Sequence, residues 1–232
     1  MSGRGEVSGL PAPGRATVVR FDPAVDRALY RQVFAFPFEP GMTALDVVLH
    51  VQRQVDGTLT FGYCCRNSHC GLCGAVVNGR PGLLCREPAT PEMTLAPLDN
   101  LPVLRDLDID RAPYEERLLG LRLFLDRVRP PLEEPEWIDP PDQERFKIAS
   151  RCVACYLCLS ACPVVAEDPH GFLGPAGFAQ LGRHASDPRD ALDRRLLAAS
   201  AGAALCSGCG ACDEVCPHGV EPREIIDRLV GG

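Results

Sequence analysis

The sequence predicts an α+β fold, in which a small sheet wrapped around one helix is followed by a helical half. Roughly the first 100 residues contain short strand-like segments around one segment with helical spacing. The second half instead contains helical segments separated by cysteine turns. None of the 13 cysteines lies between positions 85 and 152. The chain of 232 residues is therefore expected to have two metal-bearing halves.

The predicted sheet is built from two pairs of strands and a final strand. Residues 16–21 and 31–38, ATVVRF and RQVFAFPF, are rich in β-branched and aromatic residues and are predicted to form a hairpin. Residues 74–85, GAVVNGRPGLLC, are predicted to form a strand, an Asn-Gly turn and a return strand. The segment EMTLAPL, residues 92–98, is predicted to be the last strand.

One helix is predicted between the two strand pairs, over residues 43–55. Thr43 is a suitable N-cap, and Asp46 follows it three residues later, as in a capping box. Apolar residues then recur at helical spacing, so one face of this helix is expected to pack on the sheet.

A connecting region is predicted to join the halves. Residues 114–128, YEERLLGLRLFLDRV, have the pattern of an amphipathic helix. The proline-rich segment 129–143, RPPLEEPEWIDPPDQ, is predicted to be an exposed linker. Its Trp137 is the only tryptophan of the chain and is predicted to be a packing residue.

Two helix starts are predicted in the second half from proline at the first helical position. Asp187 and Pro188 are expected to begin a helix over 189–199, and Pro222 is expected to begin another over 223–230.

Composition excludes several classes of function. The net charge of −7 and the absence of a Lys/Arg run argue against nucleic acid as a partner. The longest apolar run, residues 196–205, is well short of the roughly 20 residues that span a bilayer. The N-terminus lacks the apolar core of a secretory signal, so a cytoplasmic protein is expected. Clustered cysteines in a reducing compartment indicate metal rather than disulfides.

The first cysteine group has the spacing C-x4-C-x2-C-x11-C, formed by Cys65, Cys70, Cys73 and Cys85. This close-set triplet with a distant fourth thiol matches the plant-type loop that holds a 2Fe–2S cluster. Gly71 and Gly74 are expected to let backbone N–H groups approach the sulfurs. A zinc site is the alternative, although the spacing suits zinc poorly. Cys64 falls outside the spacing and is predicted not to be a ligand.

Two further groups each follow C-x2-C-x2-C-x3-C-P, at 152–163 and 206–217. In two-cluster ferredoxins with this spacing, the fourth cysteine of each run ligates the other cluster. One 4Fe–4S cluster is therefore expected on Cys152, Cys155, Cys158 and Cys216. The second is expected on Cys206, Cys209, Cys212 and Cys162, or as a 3Fe–4S cluster without Cys209. Such a chain moves electrons between partners, and no catalytic substrate residue is predicted on it.

The order of these motifs resembles the iron–sulfur subunit of succinate dehydrogenase and fumarate reductase, over about residues 16–230. Segments besides the cysteines carry the resemblance: LPVLRDLDID at 101–110, GPAGFAQLGRHASDPRD at 174–190, and CPHGVEP at 216–222, which is similar to the family's CPKGLNP. The resemblance implies three parts: a β-grasp 2Fe–2S ferredoxin domain at 16–105, a connecting helix and Pro-rich linker at 106–141, and an α-helical ferredoxin domain with two cubane-type clusters at 142–232.

The resemblance also implies partners. The family's iron–sulfur subunit passes electrons between an FAD-containing flavoprotein, which oxidises succinate or reduces fumarate, and a quinone. Membrane-anchor subunits are expected to hold this chain on the cytoplasmic face of the membrane. The 2Fe–2S cluster is expected to lie nearest the flavin.

The chain departs from the family at its distal cluster. Most members have another residue where Cys209 stands and so carry a 3Fe–4S cluster nearest the quinone. A complete 4Fe–4S cluster with a lower potential is expected here, which would suit menaquinone. Ala166, Glu167 and Ser207 occupy positions where the family has aromatic residues and a histidine near the quinone. A carrier for a related flavoprotein with a non-quinone acceptor is therefore the alternative function.

Three histidines near the cysteines have modest predicted roles. His69 is predicted not to be a ligand, since four cysteines complete its loop. His170 and His218 could tune a cluster or carry a proton, and each is predicted to be an ordinary polar surface residue.

Overall fold

The structure is a computed structural model that describes residues 12–127 and 136–231. Its main sheet has five strands in the spatial order β2-β1-β5-β3-β4. The strands are β1 (Ala12–Arg20), β2 (Tyr30–Phe38), β3 (Gly74–Val77), β4 (Arg80–Leu83) and β5 (Glu92–Ala96). β1 pairs antiparallel with β2 and parallel with β5, and β3 pairs antiparallel with β4 and β5. All the predicted strands are confirmed.

The helix α1 (Ala44–His50) lies against this sheet and buries most of its residues. Thr43 is its N-cap, and a capping box with Asp46 is formed in both directions, as predicted. The predicted helix extended to residue 55, but its last five residues, Val51–Val55, form a π-helical turn instead.

The connecting region begins with a two-stranded ribbon, β6 (Val103–Arg105) and β7 (Asp108–Ile109), and then α2 (Ala112–Leu119). The prediction of a helix through residue 128 was wrong. Arg122 has a left-handed φ of 49°, which an α-helix cannot accommodate. The carbonyls of Leu121, Arg122 and Phe124 accept hydrogen bonds from the buried Arg194 rather than from helical N–H groups.

The second half is helical. Its α-helices are α3 (Pro140–Ser150), α4 (Leu157–Ser160), α5 (Pro163–Glu167), α6 (Pro175–Ala185), α7 (Arg194–Ser200), α8 (Ala211–Glu214) and α9 (Pro222–Val230). A 3-10 helix at Ala203–Leu205 precedes Cys206. α6 lies at the centre, against α3, α7 and α9. No helix of the described residues is long and apolar enough to cross a membrane.

One of the two predicted helix starts in the second half is confirmed. Pro222 begins α9 as predicted. The helix start expected at Pro188 was wrong. α7 begins at Arg194, because the Asp193 side chain accepts from the N–H groups of Arg195 and Leu196 and caps the helix there. Residue 128 of the predicted helix and residues 129–135 of the predicted linker lie outside the described residues. The end of the predicted linker, from Pro140, belongs to α3.

Trp137 was predicted to be a packing residue, and this was wrong. The residue is 80% exposed. Its indole N–H donates to Asp139 at 3.0 Å, so a neighbour in the chain satisfies it without burial.

The two halves share one continuous core of buried residues. Asn100, just after the sheet, donates its side-chain amide to the carbonyls of Leu159, Ser160 and Cys162 at 2.9–3.2 Å. Arg117 of α2 donates to the carbonyl of Pro169 at 2.5 Å. These contacts tie the end of the sheet and α2 to the segment that contains and follows the first C-x2-C-x2-C run.

Candidate functional sites

The first thiol group lies on the loop between α1 and β3, and its fourth member follows β4. Two backbone N–H groups donate to Cys65 Sγ, from Asn67 at 3.4 Å and Cys70 at 3.3 Å. The N–H of Ser68 donates to Cys85 Sγ at 3.3 Å. The loop therefore surrounds two of its four thiols with hydrogen-bond donors, as a site for thiolates requires.

Hydrogen-bond donors lower the pKa of these thiols, whereas burial raises it. The backbone N–H groups of Asn67 and Cys70 lower the pKa of Cys65 to about 7, because they stabilise its thiolate. Burial raises the pKa of Cys73 to about 12, and the nearby thiols of Cys85 and Cys70 add to this increase. Such a buried thiol becomes a thiolate when it binds a metal. These influences connect Cys73 with Cys85 and Cys70, and Cys65 with Cys70.

The expected role of Gly71 and Gly74 was wrong. The N–H donors to sulfur are Asn67, Ser68 and Cys70. A Cβ on Gly71 would lie 2.7 Å from the carbonyl oxygen of Val153, and one on Gly74 would lie 3.1 Å from that of Cys155. These glycines instead allow the first loop to touch the backbone of the next cysteine run.

The second thiol group combines the first run with the end of the second. A largely apolar cavity is lined by Cys152, Cys155, Cys158 and Cys216 together with neighbouring side chains. Burial raises the pKa of Cys155 to about 11 and that of Cys158 well above its usual value. The N–H of Val220 donates to Cys216 Sγ at 3.4 Å.

The third group likewise combines both runs. Burial raises the pKa of Cys162, and the neighbouring thiols of Cys209 and Cys206 raise it further. Burial raises the pKa of Cys212 to about 12, with contributions from Asp213, Cys162 and Cys206. Cys209 is the exposed member of this group. The second and third groups adjoin, since Cys212 also raises the pKa of Cys158.

The two runs repeat the same backbone conformation. Ala154 and Tyr156 have left-handed φ angles of 51° and 65° in the first run. The matching positions in the second run are Gly208 and Gly210, with φ of 69° and 78°. Each C-x2-C-x2-C turn therefore needs two left-handed residues, which glycine adopts without strain and the first run adopts with larger side chains.

The first run is held in this conformation by Arg111, which the cysteine pattern could not have revealed. Its guanidinium lies 4.9 Å from the ring centroid of Tyr156. It donates to the carbonyl of Ala154 at 3.0 Å and to that of Gly71 at 2.9 Å. One side chain at the start of α2 thus joins the first loop to the second thiol group.

The remaining predicted residues lie outside these groups. Cys64 and His69 are exposed. His170 is also exposed, as predicted. His218 is half-buried and its Nε2 lies 2.9 Å from the carbonyl oxygen of Ser68, so the prediction of a surface residue was wrong for it.

The donor chemistry of the three groups fits iron–sulfur clusters. Every grouped donor is a thiol, which suits soft metal centres. Among the described residues, no three or more His, Cys, Asp or Glu side chains are arranged to hold a single metal ion. The second group instead surrounds a cavity, and N–H groups point at sulfur in the first and second groups.

Comparison with known proteins gives the same division of the chain. Residues 15–116 match the family described as a 2Fe-2S iron-sulfur cluster binding domain. Residues 148–220 match the 4Fe-4S dicluster domain. The fumarate reductase iron-sulfur subunit of Mycobacterium tuberculosis is 38% identical over 220 residues, which cover 91% of this chain and 89% of that protein.

The chain belongs to the succinate dehydrogenase/fumarate reductase iron–sulfur subunit family. It is an electron-transfer subunit of an oxidoreductase complex, as the sequence predicted.

Two more distant proteins extend this family view. A fumarate reductase (CoM/CoB) subunit of Methanothermobacter marburgensis is 30% identical over 91% of this chain, which spans only 42% of that longer protein. The solved Mycobacterium smegmatis Sdh1 complex, in the apo form, contains a chain with the same fold. It has a TM-score of 0.83 and 24% identity, and covers 94% of this chain and 93% of that one. The predicted α+β fold, with a ferredoxin domain in each half, is confirmed.

Three positions at which the resemblance predicts a departure from the family lie at the surface. Ala166 and Glu167, at the end of α5, are exposed. Ser207 is exposed beside Cys206. In this family member, no aromatic side chain therefore stands at these positions near the third group.

Proposed function

We propose that this chain passes electrons between an FAD-containing flavoprotein subunit and menaquinone, through one 2Fe–2S and two 4Fe–4S clusters. The ligands of the 2Fe–2S cluster would be Cys65, Cys70, Cys73 and Cys85. Those of the 4Fe–4S clusters would be Cys152, Cys155, Cys158 and Cys216, and then Cys206, Cys209, Cys212 and Cys162. When bound, each cluster accepts and releases one electron. The observation that carries this proposal is the grouping of twelve thiols into three sets across both halves of one core.

The chain's own residues would keep these sites dry and correctly spaced. Burial of Cys73, Cys158 and Cys212 excludes water, while backbone N–H groups point at the sulfurs of Cys65 and Cys85. Because N–H donors stabilise negative charge on sulfur, they favour the reduced state of a site. Arg111, which joins two of the sites, would preserve their separation.

The crossed ligand sets have a specific electrostatic support. The thiol of Cys216 raises the pKa of Cys152, and the thiols of Cys206 and Cys209 raise that of Cys162. Each influence joins members of different runs, as a crossed assignment requires.

The test is EPR spectroscopy of the anaerobically purified complex in its oxidised and reduced states. An intact 4Fe–4S cluster at the third site is expected to be silent when oxidised, with a lower potential than a 3Fe–4S cluster. A strong oxidised-state signal in protein with a full iron content would contradict the role of Cys209. Zinc without iron and acid-labile sulfide would end the redox proposal altogether.

A second candidate is a carrier that serves a related flavoprotein with a non-quinone acceptor. It is favoured by the exposed Ala166, Glu167 and Ser207, which stand where the resemblance predicts aromatic residues and a histidine. One relative is also named for CoM/CoB rather than for a quinone. Reduction of a menaquinone analogue by the succinate-reduced complex would support the first candidate. Intact clusters that do not reduce it would support the second.

We further propose that partner subunits hold the chain on the cytoplasmic face of the membrane. We also propose that the chain consists of a 2Fe–2S domain at 16–105, a connecting region at 106–141 and a helical ferredoxin domain at 142–232. Support comes from family membership and from the separate matches of the two halves. Recovery with washed membranes is the expected result. Recovery wholly in the supernatant, together with the flavoprotein, would contradict membrane attachment.

A further inference from the structure

Ser68, in the first loop, has a strained backbone that is held from two sides. Its φ is 54°, in the left-handed region that is costly for a residue other than glycine. On one side its N–H donates to Cys85 Sγ at 3.3 Å. On the other side its carbonyl oxygen lies 2.9 Å from His218 Nε2. A carbonyl only accepts, so this histidine nitrogen carries the proton and donates it.

The second anchor comes from the other half of the chain. His218 lies two residues after Cys216 and lines the cavity of the second thiol group. A second hydrogen bond between the halves has its donor in the first half. Arg86, directly after Cys85, donates to the carbonyl of Pro217 at 2.5 Å. The segment that carries Cys216 is therefore fastened to the first loop by one hydrogen bond and to the segment that carries Cys85 by another.

We propose that His218 is a positioning residue that sets the reduction potential of the 2Fe–2S site from the opposite domain. By holding the Ser68 carbonyl, it keeps a strained residue in the conformation that points its N–H at Cys85 Sγ. The proposal rests on Cys85 being a ligand of that cluster, as proposed above.

The direction of the effect follows from charge. Reduction adds an electron to the site, so an N–H directed at a ligand sulfur stabilises the reduced state more than the oxidised one. Without His218, Ser68 relaxes towards negative φ and its N–H turns away from the sulfur. We expect the reduction equilibrium constant to fall about tenfold, which is about 59 mV for a one-electron couple.

The experiment is an EPR-monitored redox titration of the complex with four variants. His218→Phe keeps the ring volume and removes the donor, and His218→Gln keeps a donor at a similar reach. Arg80→Ala is the matched control, since Arg80 also donates across the interface, to the Glu214 carbonyl at 2.8 Å, but does not hold a residue bonded to a thiol. The fourth variant, Ser68→Gly combined with His218→Phe, supplies a residue that adopts positive φ without strain.

The expected result is a lower potential for the 2Fe–2S signal in His218→Phe, with the third cluster unchanged. His218→Gln and Arg80→Ala should stay near the wild-type value. The Ser68→Gly double variant should recover part of the shift. Selective loss of the 2Fe–2S cluster from His218→Phe would overturn the proposal, because it would show that His218 retains the cluster instead of setting its potential.

Several outcomes would overturn it. One is an unchanged 2Fe–2S potential in His218→Phe, and another is an equal shift in Arg80→Ala. Loss of all three clusters from His218→Phe would indicate a merely structural residue. Failure here is distinguishable from failure of the proposed function, because the wild-type titration alone tests whether the three clusters exist.

Discussion

The guanidinium group of Arg194 is buried and hydrogen-bonded on every side. It is 3% exposed, and all five of its guanidinium N–H groups have acceptors. Two bonds go to the carboxylate of Asp190, and three go to the carbonyls of Leu121, Arg122 and Phe124 at 2.7–2.9 Å. Arg194 therefore ties the connecting region to α7, the helix that leads towards Cys206.

Replacing Arg194 with Met removes the charge while keeping much of the apolar stem. The Asp190 carboxylate is then left buried without its cation, because its exposed fraction is only 2%. Breaking a buried ion pair from one side costs about 3–5 kcal/mol of folding free energy. For a chain of this size each kcal/mol lowers the unfolding midpoint by about 2–4 °C, so a fall of about 6–20 °C is expected.

The assay is the temperature at which visible cluster absorbance is lost under anaerobic conditions, in complexes of equal composition. Arg228→Met is the matched control, since Arg228 forms an exposed ion pair with Glu224 in α9. Exposed pairs contribute about 0–1 kcal/mol, so that midpoint should move by at most about 4 °C. If Arg194→Met lost no more stability than Arg228→Met, the buried network would not be a main support of this half.

Three further predictions follow from the sites. Gly71→Ala should destabilise the complex more than Gly79→Ala, as measured by the temperature of cluster bleaching. Both positions have positive φ, but only at Gly71 would a Cβ meet a backbone carbonyl oxygen. Cys209→Ser should give the third cluster an EPR signal in the oxidised state and a higher reduction potential. The control, Cys64→Ser, should leave the EPR spectra unchanged. An unchanged spectrum of Cys209→Ser would show that Cys209 is not a ligand. Burial lowers the pKa of His184, so as the pH falls the unfolded chain binds a proton at this side chain before the folded chain does, and the stability should fall below about pH 6.5. His184→Gln should make the bleaching temperature depend less on pH between about pH 7.5 and 5.5. An unchanged pH dependence would refute the role of His184.

Local signals explain how much of the fold could be predicted. The capping box at Thr43 and the Asn78-Gly79 turn each act within a few residues, so their chemistry is visible in the sequence. The cysteine grouping was equally accessible, because cluster ligands recur at short spacings.

The wrong prediction of a helix through residue 128 has a non-local cause. Residues 120–128 have an amphipathic pattern, but the buried Arg194, about 70 positions away, takes the carbonyls of Leu121, Arg122 and Phe124 out of any helix. The contacts made by Arg111 and His218 also depend on residues far along the chain. Periodicity and spacing report only on neighbours, so no pattern could have indicated these roles.

The interleaving of the two cysteine runs has a consequence for biosynthesis. Under the crossed assignment, Cys152, Cys155 and Cys158 leave the ribosome without their fourth partner. Cys216 follows Cys158 by 58 residues, which takes roughly 3–12 s at ordinary translation rates. Each newly made chain thus passes through a stage with three thiols of an unfinished site, open to oxidation or to the wrong metal. Delivery of iron and sulfide must wait for the second run, so maturation of this half is a late event in the life of the chain.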